Sequence, residues 1–308
     1  MTDPQLPAPA SLVPAVLRLT AFADGADGGN PAGVVLDAST LDEARMQQIA
    51  AEVGYAETAF VVEGAVGGDD RAVRARYFSP LAEVPFCGHA TIATAVALAD
   101  ERGPGPFRFD TAVGPVVIET TREAAAEGEG VLRASFTSVE PSTRALDDTV
   151  ADELLGLLGL TRGELDPAWP LTEAFAGNWH PVVPVRSRAV FDAFGFDPGA
   201  VRELMDRRGW AGTVTVVCTE GVDLGVGVGL PSIEARNLFP VGDITEDPAT
   251  GSAAAALGAS LRAGGLLAPP ARFTVRQGRH VGRPSLLVVD VPAAGGITVS
   301  GTASLVVG

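Results

Sequence analysis

One eight-residue segment of this chain occurs twice. Glu83-Val-Pro-Phe-Cys-Gly-His-Ala90 aligns without a gap on Glu246-Asp-Pro-Ala-Thr-Gly-Ser-Ala253, sharing Glu, Pro, Gly and Ala at four of eight positions. Each copy follows an aromatic residue and a proline (Phe78 and Pro80; Phe239 and Pro240) and precedes an Ala-rich apolar stretch. A weaker pair, Gly29-Asn30 and Gly177-Asn178, lies upstream of each copy. A repeated order of elements restricts the fold to two similar halves. Each half reads as a mainly β unit wrapped on one central helix.

Local patterning agrees. Alternation and β-branched runs predict strands at Val16–Phe22, Val34–Leu36, Thr58–Val62, Val73–Phe78, Phe107–Asp110 and Val116–Thr120. Apolar residues Leu41, Met46, Ile49, Ala50 and Val53 predict a helix, with Thr40 and Glu43 as its capping box. The apolar run Ala90–Ala99 is the first central helix. Later strands are expected at Val131–Phe136, Pro181–Val185, Thr213–Thr219, Ser285–Val291 and Ile297–Val306, and helices at Asp148–Leu158, Asp197–Arg208 and Ala253–Ala263. The Glu/Ala/Gly-rich segment Arg122–Gly130 divides the two sets. The expected division is a disordered tail at 1–15, a first domain at 16–128 and a second at 129–308.

Composition excludes several functions. Formal charge is 22 − 38 = −16, which disfavours nucleic acid and anionic membranes as partners. Every basic residue is Arg, and Lys is absent. This removes pyridoxal-phosphate chemistry on a Lys Schiff base and the Walker A phosphate loop. Two cysteines and three scattered histidines offer no disulfide framework and no metal-ligand spacing, so no metal is expected. No apolar run is long enough to span a bilayer, and the first residues lack the charge and apolar core of a signal peptide. The expected location is the cytoplasm.

Several residues carry candidate chemistry. Gly88 and Gly251 each open a central helix, where unsatisfied N–H groups and a partial positive charge suit a carboxylate or an enolate oxygen. Two such loops facing one cleft let an acidic protein hold an anion without Lys; the alternative is two ordinary core helices. Glu57 heads the apolar run Thr58–Val62. In an apolar pocket it can hold a proton and exchange it with carbon; at a solvated strand end it does neither. His89 in the first helical turn is a neutral hydrogen-bonding group for a substrate oxygen, or a cap. Asp247, Thr250 and Ser252 are either site residues or caps of the second central helix. Cys87 could be a base at a helix N-terminus. Its repeat counterpart is Thr250, so a two-thiol racemase lacks its partner. Cys218 reads as structural, and His180 and His280 as loop or solubility residues.

The chain resembles the PhzF family of phenazine-biosynthesis-type isomerases. The resemblance rests on Gly29-Asn-Pro-Ala-Gly-Val34, Tyr55-Ala-Glu-Thr-Ala-Phe-Val61, Phe78-Ser-Pro80, Glu83-Val-Pro-Phe-Cys-Gly-His-Ala-Thr91, Ala235-Arg-Asn-Leu-Phe-Pro240 and Glu246–Ala253, in family order. It implies an α+β, diaminopimelate-epimerase-like fold: two pseudo-symmetric β-barrel domains, each around a central helix, with the active site between them. The last strand can cross back to the first domain in this fold. Carried over by position, Glu57 is the general acid/base, with His89, Asp247 and Ser252 completing the catalytic group. Asn30, Cys87, Gly88, Thr250 and Gly251 fall at substrate-binding positions. The resemblance also implies a homodimer with no cofactor or metal, and isomerisation of trans-2,3-dihydro-3-hydroxyanthranilate or a similar small carboxylate. One departure stands out: the second half reads Gly177-Asn-Trp-His-Pro181, placing Trp179 and His180 where the cleft wall or a shifted loop is expected. Two other functions fit the same residues. One is an amino- or hydroxy-acid epimerase using Cys87; the other is a small-molecule binder without turnover.

Overall fold

The computed structural model describes residues 14–124, 130–222, 224, 230–242 and 244–306. Residues 1–13 of the expected tail and 125–129 of the expected dividing segment lie outside them. The first half runs β1 (Leu17–Ala21), β2 (Asn30–Val35), α1 (Glu43–Val53), β3 (Glu57–Glu63), β4 (Ala72–Phe78), β5 (Glu83–Val84), α2 (Gly88–Arg102), β6 (Gly105–Thr111), β7 (Gly114–Glu123) and β8 (Val131–Thr137). The second runs β9 (Ser142–Ala145), α3 (Asp148–Leu157), β10 (Thr172–Phe175), β11 (Trp179–Val185), α4 (Arg188–Ala193), α5 (Pro198–Arg208), β12 (Val214–Cys218), β13 (Ser232–Leu238) and β14 (Glu246–Asp247). It ends with α6 (Gly251–Ala263), β15 (Ala271–Gln277), β16 (Ser285–Val291) and β17 (Thr298–Leu305).

Eight strands close into a barrel in the order β1-β2-β3-β4-β6-β7-β8-β17 and back to β1. Helix α2 fills it, and every residue from His89 to Ala99 is buried. A barrel of this size normally has room for side chains only. The helix therefore carries Ala at 90, 93, 95, 97 and 99. Its two buried threonines send their hydroxyls back to the helix, Thr91 to the Cys87 carbonyl (2.6 Å) and Thr94 to that of Ala90 (2.7 Å), so no polar group is stranded. The second strand run, β9-β10-β11-β12-β13-β15-β16-β17, packs against α6 in the same way. At Gly258 a Cβ would lie 3.1 Å from Ile297 and Val291, so the bare backbone lets α6 approach β16.

Strand register makes the duplication quantitative. Thr58 pairs with Phe78 as Val214 does with Leu238; Tyr77 with Val84 as Asn237 with Asp247; Leu19 with Ala32 as Ala174 with His180. Stepping along these ladders makes Thr213 the counterpart of Glu57, His180 of Ala32 and Asn237 of Tyr77. Trp179 and His180 thus occupy the places of Pro31 and Ala32 within a continuous strand, and no loop is shifted. β8 and β17 meet at the pseudo-twofold, where Phe136 pairs with Val299 and Thr137 with Thr298. From there β17 runs on to β1, pairing Ala303 with Ala21.

Outside the barrels, α1 buries Met46, Ile49, Ala50 and Val53 against Phe60 and Phe78. Its cap differs from the expected Thr40/Glu43 box. Asp42 accepts the N–H of Arg45 (2.8 Å), and Glu43 instead pairs with Arg76. A short charged acceptor one residue before the first turn wins the orphan N–H, leaving Glu43 free for a cation. Three helices, α3 to α5, form a separate cluster around Leu154, Leu158, Phe191, Leu204 and Trp210.

Candidate active site

The start of β3 and the α2 N-terminus converge. Glu57 heads β3 with its side chain 19% exposed. Cys87 precedes α2 and donates its S–H toward Glu57 Oε2 (3.5 Å), and His89 Nε2 lies 3.4 Å from the same oxygen. Burial pushes the Cys87 thiol well above its ordinary range, and the nearby Glu57 charge adds to this. Cys87 is therefore a protonated thiol at neutral pH, a hydrogen-bond donor rather than a base.

From the second half comes Asp247, on β14. Asn30 Nδ2 donates to its Oδ1 (2.7 Å), reaching across the two halves, and also to the Ala249 carbonyl (3.2 Å). The Thr250 hydroxyl donates to the other carboxylate oxygen. Burial raises Asp247 to about 6; His89, Thr250 and Asn30 pull it down, and Glu57 pushes it further up. These mutual influences place Glu57, His89 and Asp247 in one electrostatic neighbourhood. Gln277 completes the frame from β15. Its Nε2 donates to the Asp247 carbonyl (2.6 Å) and to Thr250 Oγ1 (2.9 Å), and its Oε1 accepts the Thr250 N–H (3.2 Å).

Asp247, Thr250 and Ser252 do not cap α6. Thr250 holds the N-cap position, but its hydroxyl is spent on Asp247, and neither central helix receives a side-chain cap from its N-cap residue. By contrast α1, α3 and α5 are capped by Asp42, Asp147 and Asp197. The central helices thus keep their first-turn donors for another acceptor. The two glycines have different reasons. At Gly88 a Cβ would meet only Phe86, at 4.0 Å, whereas at Gly251 it would lie 2.8 Å from the Phe136 ring. Gly88 leaves space open; Gly251 admits an aromatic neighbour.

A cleft of about 840 Å³ opens at Glu57 between the halves. Tyr55 and Phe86 line one side, and Trp210, Phe239 and Ile244 the other. Of the expected site residues only Glu57 lines it. Ser252 bonds to His180 (3.1 Å). His180 is not a loop or solubility residue: it is fully buried in β11. His280 is half-buried beside Asp192 (3.1 Å). Among the described residues two groups have the spacing of a cation site: Glu57, Cys87 and His89, and Asp192, Glu234 and His280. Arg188 and Arg279 already neutralise the second.

Sequence reading passed over Gln277, Thr213 and the inward-facing His180. One signal was present: Gln277 continues the buried phase of β15 set by Phe273 and Val275, a polar residue where an apolar one is due.

Comparison with known proteins gives the family and the fold. The phenazine biosynthesis-like (PhzC-PhzF) family matches residues 19–308. An uncharacterized isomerase of Escherichia coli K12, YddE, is 30% identical, covering 94% of this chain and 95% of its own. The trans-2,3-dihydro-3-hydroxyanthranilate isomerase of Pseudomonas chlororaphis is 30% identical over 87% of each chain. Among solved structures, a predicted epimerase from Pseudomonas aeruginosa superposes with a TM-score of 0.76 at 28% identity, covering 95% of this chain and 96% of its own. A probable proline racemase from Agrobacterium radiobacter, at 14% identity, TM-score 0.58 and coverage of 94% and 90%, shares the fold. The architecture is the expected α+β, epimerase-like one, and no helix among the described residues is long and apolar enough to cross a membrane. This chain belongs to the phenazine biosynthesis-like PhzC-PhzF family of isomerases and epimerases.

Proposed function

We propose that this protein moves a proton between two carbons of a small carboxylate-bearing substrate, with Glu57 as the single general acid/base. The carrying observation is the asymmetry of the paired halves. Glu57 faces the inter-half cleft, and its register counterpart is Thr213, which has no basic group. A shift along one face of a substrate needs one base, which takes the proton from one carbon and returns it to another. Inversion at a stereocentre needs a second base on the opposite face. Cys87 does not supply it, because burial keeps its thiol protonated and its sulfur lies on the Glu57 side, 3.5 Å away. Asp247 does not either, since both its oxygens are held, by Asn30 and Thr250.

In this reading His89, Asp247 and Ser252 orient the substrate, and the uncapped helix starts at Gly88 and Gly251 hold its carboxylate and developing negative charge. The similar enzyme of Pseudomonas chlororaphis suggests trans-2,3-dihydro-3-hydroxyanthranilate as the substrate to try. The protein would act without a cofactor, as a cytoplasmic homodimer; light scattering after size exclusion tests the dimer. The deciding experiment incubates wild type and Glu57→Gln with that compound in D2O and follows it by NMR. Turnover by wild type and its loss in the variant support the reading. Equal turnover by both sinks the role of Glu57. No turnover by wild type removes this substrate, and thermal stabilisation by the compound without deuterium uptake would favour a binder.

A further inference from the structure

The cleft beyond Glu57 is walled by rings that are held in place from behind. On one side Phe86 rests edge-on against buried Tyr77, with ring centroids 5.8 Å apart. On the other, the Trp210 indole N–H donates to Glu173 Oε1 (2.7 Å), a buried carboxylate that also pairs with Arg144 and Arg208. The one polar atom of the Trp210 side chain is thus satisfied inside the protein and asks nothing of a ligand. Phe239 is confined by Gly242, where a Cβ would lie 2.2 Å from its ring. Walls fixed in this way lose little side-chain freedom when a ligand arrives. Leu81 also lines the cleft, with 79% of its surface exposed.

Charge points the same way. Among the described residues that line the cleft, only Glu57 and Asp206 are charged, and both are negative. Helices α1 and α5 end on it at Gly54 and Gly209, and the carbonyl end of a helix carries a partial negative charge. Of the α5 cations, Arg202 lies 3.9 Å from Asp206 and donates to the Pro240 carbonyl (3.3 Å), while Arg207 and Arg208 turn to Glu153 and Glu173. None of the three lines the cleft.

We propose that this part of the cleft is a specificity subsite: it takes an uncharged apolar group, the size of an aromatic ring, that the substrate carries beyond its reacting carbons, and it refuses a second carboxylate. The volume, about 840 Å³, lies in the range of sites that take drug-sized ligands, and a single six-membered ring leaves most of it empty. A second ring laid against Phe86, Trp210 and Phe239 leaves water for apolar walls. A second carboxylate in the same place would lose hydration, meet no cation and face Glu57. This deepens the proposed function and rests on that reading for the first carboxylate alone.

Calorimetry on the full chain tests this with benzoate, the biphenylcarboxylates, the benzenedicarboxylates and 4-hydroxybiphenyl, which has no carboxylate. At least one biphenylcarboxylate should bind about tenfold to a hundredfold more tightly than benzoate, the worth of taking one phenyl ring out of water. Every dicarboxylate should bind more weakly than benzoate. Phe239→Ala should cut the phenyl gain to less than about threefold, because it removes one wall. Tyr55→Ala, at a half-buried position, serves instead if that variant fails to fold. Leu81→Arg, at an exposed position, supplies the missing cation and should strengthen a dicarboxylate about threefold to fivefold relative to benzoate. No phenyl gain, a gain that survives loss of the aromatic wall, or a dicarboxylate that binds wild type as tightly as benzoate overturns the proposal, and so does no response to Leu81→Arg. If 4-hydroxybiphenyl binds and benzoate does not, the subsite stands and the carboxylate reading falls. If neither binds, the subsite falls.

Discussion

Two loops of matching register begin the two central helices, and they carry different chemistry. On the α2 side stand Glu57, Cys87 and His89; at the matching places beside α6 stand Thr213, Thr250 and Ser252. The scaffold tolerates this because register and helix burial depend on backbone and on Ala-sized side chains, which both halves keep. The polar residues at the helix starts are free to diverge, and here they divide into an acid/base side and a hydroxyl side. Asn30 ties the sides together through Asp247, across 217 positions of sequence.

The strongest way to break this comparison is to remove the one group it makes unique. Glu57→Gln should lower kcat by about a hundredfold to ten-thousandfold, the usual worth of a general acid/base. Thr213→Val should lower kcat/KM by less than about tenfold, because Thr215 still donates to Asn237 (2.7 Å). Comparable losses in both variants would mean that the halves contribute alike.

A second contrast lies in stability. Asp247 is raised from 3.8 to about 6 by burial, and His180 is lowered from 6.5 to about 4 by the same cause. For Asp247 the native state holds a proton that the unfolded chain releases between about pH 4 and pH 6. Its contribution is full below that window and lost as pH rises through it. For His180 the unfolded chain takes a proton that the native state refuses. Its contribution is full above about pH 6.5 and lost as pH falls toward 4. Each is worth about 3 kcal/mol, with opposite sign. Urea unfolding should therefore show wild type losing about 2 kcal/mol of this relative to Asp247→Asn between about pH 4 and pH 6. Relative to His180→Gln it should gain a similar amount over the same range. A flat difference in either pair would mean that the group is not buried as described.

Much of this was legible in the sequence, for a physical reason. The repeat, the two Ala-rich helices and most strands are local patterns, and side-chain period reports burial directly. Glu57 and the Cys87–His89 turn were legible as residue types beside apolar runs. Asn30 on Asp247, Gln277 on Thr250 and His180 on Ser252 were not, because each joins residues that only the completed fold brings together. His180 misled because a lone His beside Trp and Pro has no period to place it. The capping box at Thr40 misled because Asp42 competes for the same helix start, and spacing alone does not rank two acceptors.

The glycines sharpen the comparison at a smaller scale. Gly251→Ala forces its new methyl to within 2.8 Å of the Phe136 ring, on the strand that meets β17 at the pseudo-twofold. An overpacked contact of this kind costs about 1–3 kcal/mol, read as a lower urea midpoint with unchanged slope. Gly88→Ala meets only Phe86 at 4.0 Å and should change stability by less than about 1 kcal/mol. Its methyl enters the open space at the start of α2, so it should raise KM. The reverse ranking would mean that Gly88, and not Gly251, is the packed one.

Cys87→Ser is the smallest expected effect and separates the two chemistries of this fold. In a two-base epimerase that used Cys87, serine would abolish turnover, since its hydroxyl is far harder to deprotonate than a thiol. Here the thiol is protonated already and only donates toward Glu57 Oε2. Serine keeps a donor in a similar place, so the change is confined to one buried hydrogen bond, worth about 1 kcal/mol. Activity should fall by less than about tenfold. A complete loss in Cys87→Ser, with the fold intact, would replace the single-base shift by inversion at a stereocentre.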